Sequence, residues 1–309
     1  MDPLNIKHLD ASESAFLTKE LTHIRSTLYE VLFPELKARK FMSIDTSVPA
    51  GAKSFEYKVM ERSGDILVGG DYSNTAPRAD VVLSEVNQKI RPVIAAYGYS
   101  RDEVLASMMT GRSLDSMKGM AARKAIEEGL DRILLLGDSN WSIPGLFTAS
   151  GTATESPGTG AGGDTWALKT PDEILADLFA LENKIDVDSK GAYKATAMIL
   201  ADARYNLIKK TRLGDGSDRT ILSYFLDNSD SIKSVDKSHY LTSAPNSEWT
   251  GVRAIAYQRD ELVLQGVISE EFNQLAPQEV GFETLVNCSA RVGGLELRHP
   301  KAVCYMDNF

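Results

Sequence analysis

The chain has 309 residues, 43% hydrophobic and 25% charged, with 34 Lys and Arg against 43 Asp and Glu for a formal net charge of −9. That is enough apolar content for a sizeable core in one large or two moderate domains, and it excludes a globally disordered chain. It also offers no dense basic block to grip nucleic acid, no apolar stretch near the ~20 residues that span a bilayer, no basic-then-apolar leader, and no metal-ligand spacing among His8, His23, His239 and His299.

Residues 11–33 place Phe16, Leu17, Leu21, Ile24, Leu28, Val31 and Leu32 on one helical stripe, with Asp10 and Glu13 suited to a capping box and Pro34 as the stop. Residues 53–62 alternate Phe55, Tyr57 and Val59 with charged residues, the pattern of a half-exposed strand. The Gly, Asp and Pro-rich stretch 63–80 reads as a long loop, and strand character resumes over 81–100. Together these make an extended hairpin, and a two-stranded ribbon is marginal alone in water. It has few apolar residues for a core of its own, so it is expected to lie on something else. Ser100 and Glu103 open a helical stretch 101–136, weakened at Gly111, in which Met117, Met120, Ala121, Ile126, Leu130, Ile133 and Leu134 recur at helical spacing.

The sequence 151–166 reads as a flexible Gly/Thr-rich connector, and Thr170-Pro171-Asp172-Glu173 as the start of a helix. A short buried strand 196–200 and a helix 201–210 follow, then a turn over LGDGSDRT. Further strands are expected around 252–257, 262–268, 282–298 and 302–306, with Cys288 and Cys304 as buried free thiols. The mixture predicts an α+β fold with helices and antiparallel strands segregated.

Two motifs invite a catalytic reading. Gly137-Asp138-Ser139 with Asp236-x-x-His239 has the letters of a GDS-type serine esterase. Such a nucleophile turn needs a strand before it and a helix after it. Here the apolar run before Gly137 is the end of a long helix, Gly137 is the ordinary glycine past a helix end, and no G-x-N triplet exists to supply an oxyanion hole. Gly158, Gly160 and Gly163 spell G-x-G-x-x-G without the strand and helix that give it meaning. No catalytic, cofactor-binding or metal-binding residue is assigned.

The order of the elements carries more than any motif. An amphipathic arm precedes a long hairpin, then a long helix ending in Leu136-Gly137-Asp138, then Gly145-Leu146 after a short polar turn. A helix from about Asp172, the strand-helix KATAMILADARYNLIKKT, and a final FETLVNCSARVGGLELRHPKAVCYMD with Arg298-His299-Pro300 at its corner complete the series. This order resembles the major capsid proteins of tailed bacteriophages, the HK-type capsid fold.

The resemblance implies an N-arm over 1–44, an E-loop hairpin region over 45–98, a peripheral (P) domain with a long spine helix over 99–170 and 259–299, and an axial (A) domain over 171–258 and 300–309. It implies pentamers and hexamers of this chain closed into an icosahedral head shell of a virion, made in the host cytoplasm and enclosing double-stranded DNA without reading its sequence. Leu21, Ile24 and Leu28 on the arm, and Phe55, Tyr57, Val59, Arg62 and Arg78 on the hairpin, are the expected contacts between subunits. A portal and a decoration protein are further partners implied; because the arm begins soon after Met1, either scaffolding is a separate protein, the reading favoured here, or none is needed. Some relatives join a hairpin lysine to a neighbour's asparagine. The tip 63–79 has Arg78 and no lysine, and arginine stays protonated and is a poor nucleophile, so no covalent crosslink is expected, with Lys89 the one exception to watch. An encapsulin-type compartment around a cargo enzyme would share the same fold; the length of the tip favours a phage shell.

Overall fold

The computed structural model describes residues 35–64, 80–110, 115–160, 162–214, 218–242, 249 and 251–309, apart from the side chains of 61–63, 106–108, 110 and 115–117. The arm helix 11–33 and most of the hairpin tip therefore lie outside the described residues. In chain order the elements begin with a short helix α1 (Ala38–Phe41), a two-residue strand β1 (Ile44–Asp45), then β2 (Ser54–Ser63), β3 (Asp80–Lys89) and β4 (Arg91–Ser100). Helices α2 (Arg101–Thr110) and α3 (Asp115–Leu136) follow, then β5 (Ala153–Glu155), α4 (Pro171–Ser189), β6 (Ala197–Ala201), α5 (Asp202–Lys210) and α6 (Ile221–Asn228). The chain ends with β7 (Ser234–Ser238), β8 (Arg253–Tyr257), β9 (Leu264–Gln274), β10 (Gln278–Val280), β11 (Glu283–Leu297) and β12 (Val303–Asp307).

Two five-stranded sheets share the work. The first runs β1-β9-β11-β10, with β4 on the other side of β11, and α3 lies across β4, β11 and β9. The second runs β5-β12-β8-β6-β7. Its middle strands AMILA, RAIAY and VCYMD are apolar almost throughout because both faces are covered. Period-two alternation sorts their side chains. Met198, Leu200, Ala254, Ala256, Cys304 and Met306 join the core under α4, α5 and α6. Ile199, Ile255, Tyr257, Val303 and Tyr305 join a second core shared with α3 and the first sheet. One sheet thus welds two cores.

The α+β expectation is met, with one correction. The strands are not all antiparallel: β6–β7, β12–β5 and β1–β9 are parallel pairs. A parallel neighbour needs a crossover, and α5 with α6 provides it between β6 and β7; α6 and β7 were not anticipated from the sequence. The strand expected over 81–100 breaks at buried Ile90 into β3 and β4, which belong to different sheets. On α3 the buried stripe is Ala122, Ile126, Leu130 and Leu134, while Met120 and Ala121, placed on the stripe by spacing, are exposed.

The supposed connector 151–166 is tied down. The Asp177 carboxylate of α4 accepts from Gly158 N at 2.8 Å, Trp166 Nε1 at 2.8 Å and Lys169 Nζ at 2.5 Å, with Lys169 and Asp177 almost wholly buried. Trp166 in turn meets Phe309 edge-on at 4.5 Å. The helix α4 opens as its sequence predicts, with Thr170 and Glu173 in a capping box and Pro171 at the first position. Cys288 and Cys304 are buried free thiols, and burial pushes the Cys304 thiol up to about 12.

The GDS turn serves a structural purpose. Gly137 adopts φ +71° at the end of α3. The chain then folds back so that Leu146 N and Phe147 N donate to the carbonyls of Leu134 and Leu135 at 3.0 and 2.8 Å, and Thr148 Oγ1 to that of Leu136 at 2.9 Å. These are carbonyls that a helix end leaves without partners. The Asp138 side chain accepts from Asn140 N, so Ser139–Trp141 form one 3₁₀ turn where no helix was expected, and Ser139 follows a helix rather than a strand. The turn also seats on β11, where Leu295 N donates to Pro144 O at 2.9 Å.

The close approach is possible because three glycines meet there. A Cβ on Gly145 would stand 2.3 Å from Gly137 N, and one on Gly294 would stand 2.7 Å from Pro144 O. The obstacles at Gly145 are all backbone, so no side-chain rearrangement relieves them. Gly145→Ala should therefore cost about 2–4 kcal/mol, read as a drop in the chemical-denaturation midpoint of unassembled subunits, whereas Gly51→Ala, with open space around it, should be close to neutral.

Candidate assembly surfaces

The hairpin β2–β3 pairs in strict antiparallel register from Ser54↔Lys89 to Ser63↔Asp80. Directly opposed residues share a face. One face holds Phe55, Tyr57 and Val59 opposite Gln88, Val86 and Ser84; the other holds Lys58 and Met60 opposite Glu85 and Leu83. The base is fastened to the subunit's own β11. Tyr57 Oη donates to Leu297 O at 3.2 Å and Gln88 Nε2 to Leu295 O at 2.9 Å, while Phe55 lies against Gly293. Burial raises the Tyr57 phenol, with Glu296 adding to the shift.

The hairpin beyond this base is bare. Met60, Val81, Val82 and Leu83 are 50–60% exposed and occupy both faces. Lys58 reaches across to Glu85 at 2.7 Å in solvent, as its alternation predicts. Of the contact residues expected from the sequence, Phe55, Tyr57 and Val59 are all half-buried on their own subunit. Leu21, Ile24, Leu28 and Arg78, and the side chain of Arg62, lie outside the described residues. Val81, Val82 and Leu83 join the expected contact residues as exposed apolar side chains of the hairpin. The available signal was an unbroken apolar run beside a loop, in place of the alternation a one-sided strand would show.

A second apolar surface stands where β10 turns into β11. Val280 and Phe282 are exposed there, with Leu105 of α2 lining the same hollow as Phe282. Phe282 O accepts from Arg101 N at 3.0 Å, which fixes the turn to the start of α2. Asp236 and His239 do not serve a serine: the Asp236 carboxylate is paired with Lys40, and His239 stacks beside Tyr240 with ring centres 3.9 Å apart. Among the described residues no group of three or more His, Cys, Asp or Glu is placed to hold a metal, and no helix is long and apolar enough to cross a membrane.

The segment that leads out of the described body toward the arm is clamped. The Asp131 carboxylate of α3 accepts from Lys37 N at 2.8 Å and Ala38 N at 2.6 Å, capping α1 from another helix. Tyr257 Oη donates to Phe41 O at 2.8 Å, Phe41 packs near Phe147, and β1 adds to the edge of β9. Arg39 pairs with Glu271 at 2.8 Å.

The family model described as Major capsid protein matches residues 65–309. No curated protein sequence matches the chain. Among solved structures, the capsid of Myoviridae phage XM1 is similar at TM-score 0.81 and 17% identity, covering 94% of this chain and 98% of that one. A chain of Mycobacterium phage Ogopogo is similar at TM-score 0.63 and 13% identity, covering 95% and 97%. The virus-like particle from Pyrococcus furiosus is similar at TM-score 0.53 and 12% identity, covering 87% and 90%.

The arm clamp has a pH signature. Burial holds the Asp131 carboxyl above the usual carboxylate range, against the pull of the two amides. A carboxyl raised in this way supports the fold below its ordinary pKa, and that support is lost as pH rises through the raised value. Asp131→Asn keeps an oxygen for both amides and removes the buried charge. Its stability relative to wild type should therefore climb as pH rises above the ordinary carboxylate range and level off once the wild-type carboxyl is fully ionised, followed by urea unfolding of unassembled subunits. Asp131→Ala, which orphans two amides, should cost about 1–3 kcal/mol throughout.

Proposed function

Because this chain belongs to the major capsid protein family, and so is a structural shell protein of a phage head rather than an enzyme, we propose that it closes as pentamers and hexamers into the icosahedral shell of a tailed bacteriophage. The observation that carries this reading is the hairpin, fastened at its base and exposing apolar side chains on both faces beyond it. A neighbouring subunit supplies the missing layer, and repeated contacts of this kind close with rotational symmetry. In this layout the N-arm is 1–44, the E-loop region 45–98, the P-domain 99–170 with 259–299, and the A-domain 171–258 with 300–309. Leu21, Ile24 and Leu28 of the arm, and Val59, Arg62 and Arg78 of the hairpin, meet the neighbour, while Phe55 and Tyr57 brace the hairpin that reaches it. The chain is made in the host cytoplasm. A separate scaffolding protein, a portal and a decoration protein complete the head, and double-stranded DNA is enclosed without sequence-specific contact.

Sedimentation of the purified chain should show capsomers or closed particles, and a persistent 33.8 kDa monomer at high concentration would overturn the reading. Leu83→Asp should leave the circular dichroism of the subunit unchanged and abolish particles, since a buried unpaired charge costs several kcal/mol at each repeated contact. Particles boiled in detergent should run as one monomer band, because stability rests on noncovalent burial; a ladder would point to Lys89. Nucleic acid inside native particles is expected, and a single cargo enzyme in its place would favour a compartment shell.

A further inference from the structure

At the hinge where β3 gives way to β4, a pocket of about 480 Å³ opens between the hairpin and the first sheet. Four of its eight lining residues are cations, Lys53, Lys89, Arg91 and Arg291, and none of the eight is acidic. In a chain of net charge −9 this concentration is unusual. The two arginines are held in place. The Arg91 guanidinium lies over the Trp141 ring at 4.3 Å, and Arg291 donates to the carbonyls of Ala50 and Ala52, the latter at 3.1 Å. Each also keeps its Nε buried without an acceptor. The two lysines are exposed, and neither forms an ion pair with a described residue. Several other surface lysines are matched, Lys40 by Asp236, Lys58 by Glu85 and Lys118 by Glu103, while Lys209, Lys210 and Lys301 resemble Lys53 and Lys89 in forming no ion pair with a described residue; what sets this pocket apart is four cations around one hollow.

We propose that this pocket is the seat for a carboxylate of a second copy of the chain, docked against the hinge of the hairpin. The proposal rests on the shell reading and names one of its contacts. Charge decides the occupant. The chain carries 43 acidic against 34 basic residues, so a neighbour presents carboxylates in excess. The pocket is a single concave site with two pinned guanidiniums, suited to one or two carboxylates; a phosphate backbone is gripped by a basic stripe, and none is present here among the described residues. The seat adjoins the hairpin, so a neighbour under the bare ribbon lies within its reach.

The test uses the full chain. Subunits grown with light and heavy nitrogen are mixed, assembled, and coupled with a carbodiimide, which joins a lysine to a carboxylate only where the two touch. Peptides of mixed label that join Lys53 or Lys89 to an aspartate or glutamate are expected in shells and not in unassembled subunits. The double variant Lys53→Gln with Lys89→Gln, folded by circular dichroism, should need about tenfold more protein to assemble and should lose much of the salt dependence. Shells that form normally while both lysines stay as open to a small acylating reagent as in free subunits would overturn the seat and leave the shell reading intact. Protection seen only in particles that contain DNA would overturn it in favour of a phosphate site. A wild-type chain that never closes would overturn both readings.

Discussion

A two-stranded ribbon has no third layer, and in water that leaves its apolar side chains without a place to go. Here the problem is sharpened, because Met60, Val81, Val82 and Leu83 stand on both faces. No folding back onto the subunit's own body covers both at once. Where another layer covers such a ribbon by association, fold and association become linked equilibria. A loop with polar faces would have been soluble and useless for closing a shell.

An incomplete ribbon is useful only if it points somewhere definite. Its direction is set by hydrogen bonds from Tyr57 and Gln88 to the end of β11, and β11 is itself held by β4, β9 and the turn after α3. The second sheet then carries that rigidity across the described body, since its strands take part in both cores. The clamp on α1 fixes the other departing segment to the same α3. The base of the hairpin and helix α1 are thus both anchored in one body.

Much of this was legible in the sequence. The capping boxes at Ser100 and Thr170, the strand-helix after Lys194, and the long final strand follow from local rules that tertiary structure had no reason to override. The failures have physical causes. The segment 151–166 looked flexible because its order comes from Asp177, a residue on another element whose buried carboxylate gathers three distant donors. Helix α6 was missed because its eight residues offer barely two turns of pattern. For Phe55 and Tyr57, alternation tells that they share a face and not that the same face also meets the end of β11. The cationic pocket had no linear signature at all: Lys53, Lys89, Arg91 and Arg291 come from three strands and a turn.

The glycine contact between the end of α3, the turn and β11 has a further consequence. Main chain meets main chain at Gly137 and Gly145, and Gly294 faces the Ile143 side chain and the Pro144 carbonyl, so what is fixed is above all shape. Neighbouring positions are free to drift in volume and polarity as long as these three stay bare. A chain can change almost all its lettering and keep this fold, as solved structures at 12–17% identity do. The joint works like a keyhole cut from main chain: it identifies the fold by what is missing, and it does so from residues that lie far apart in the written sequence.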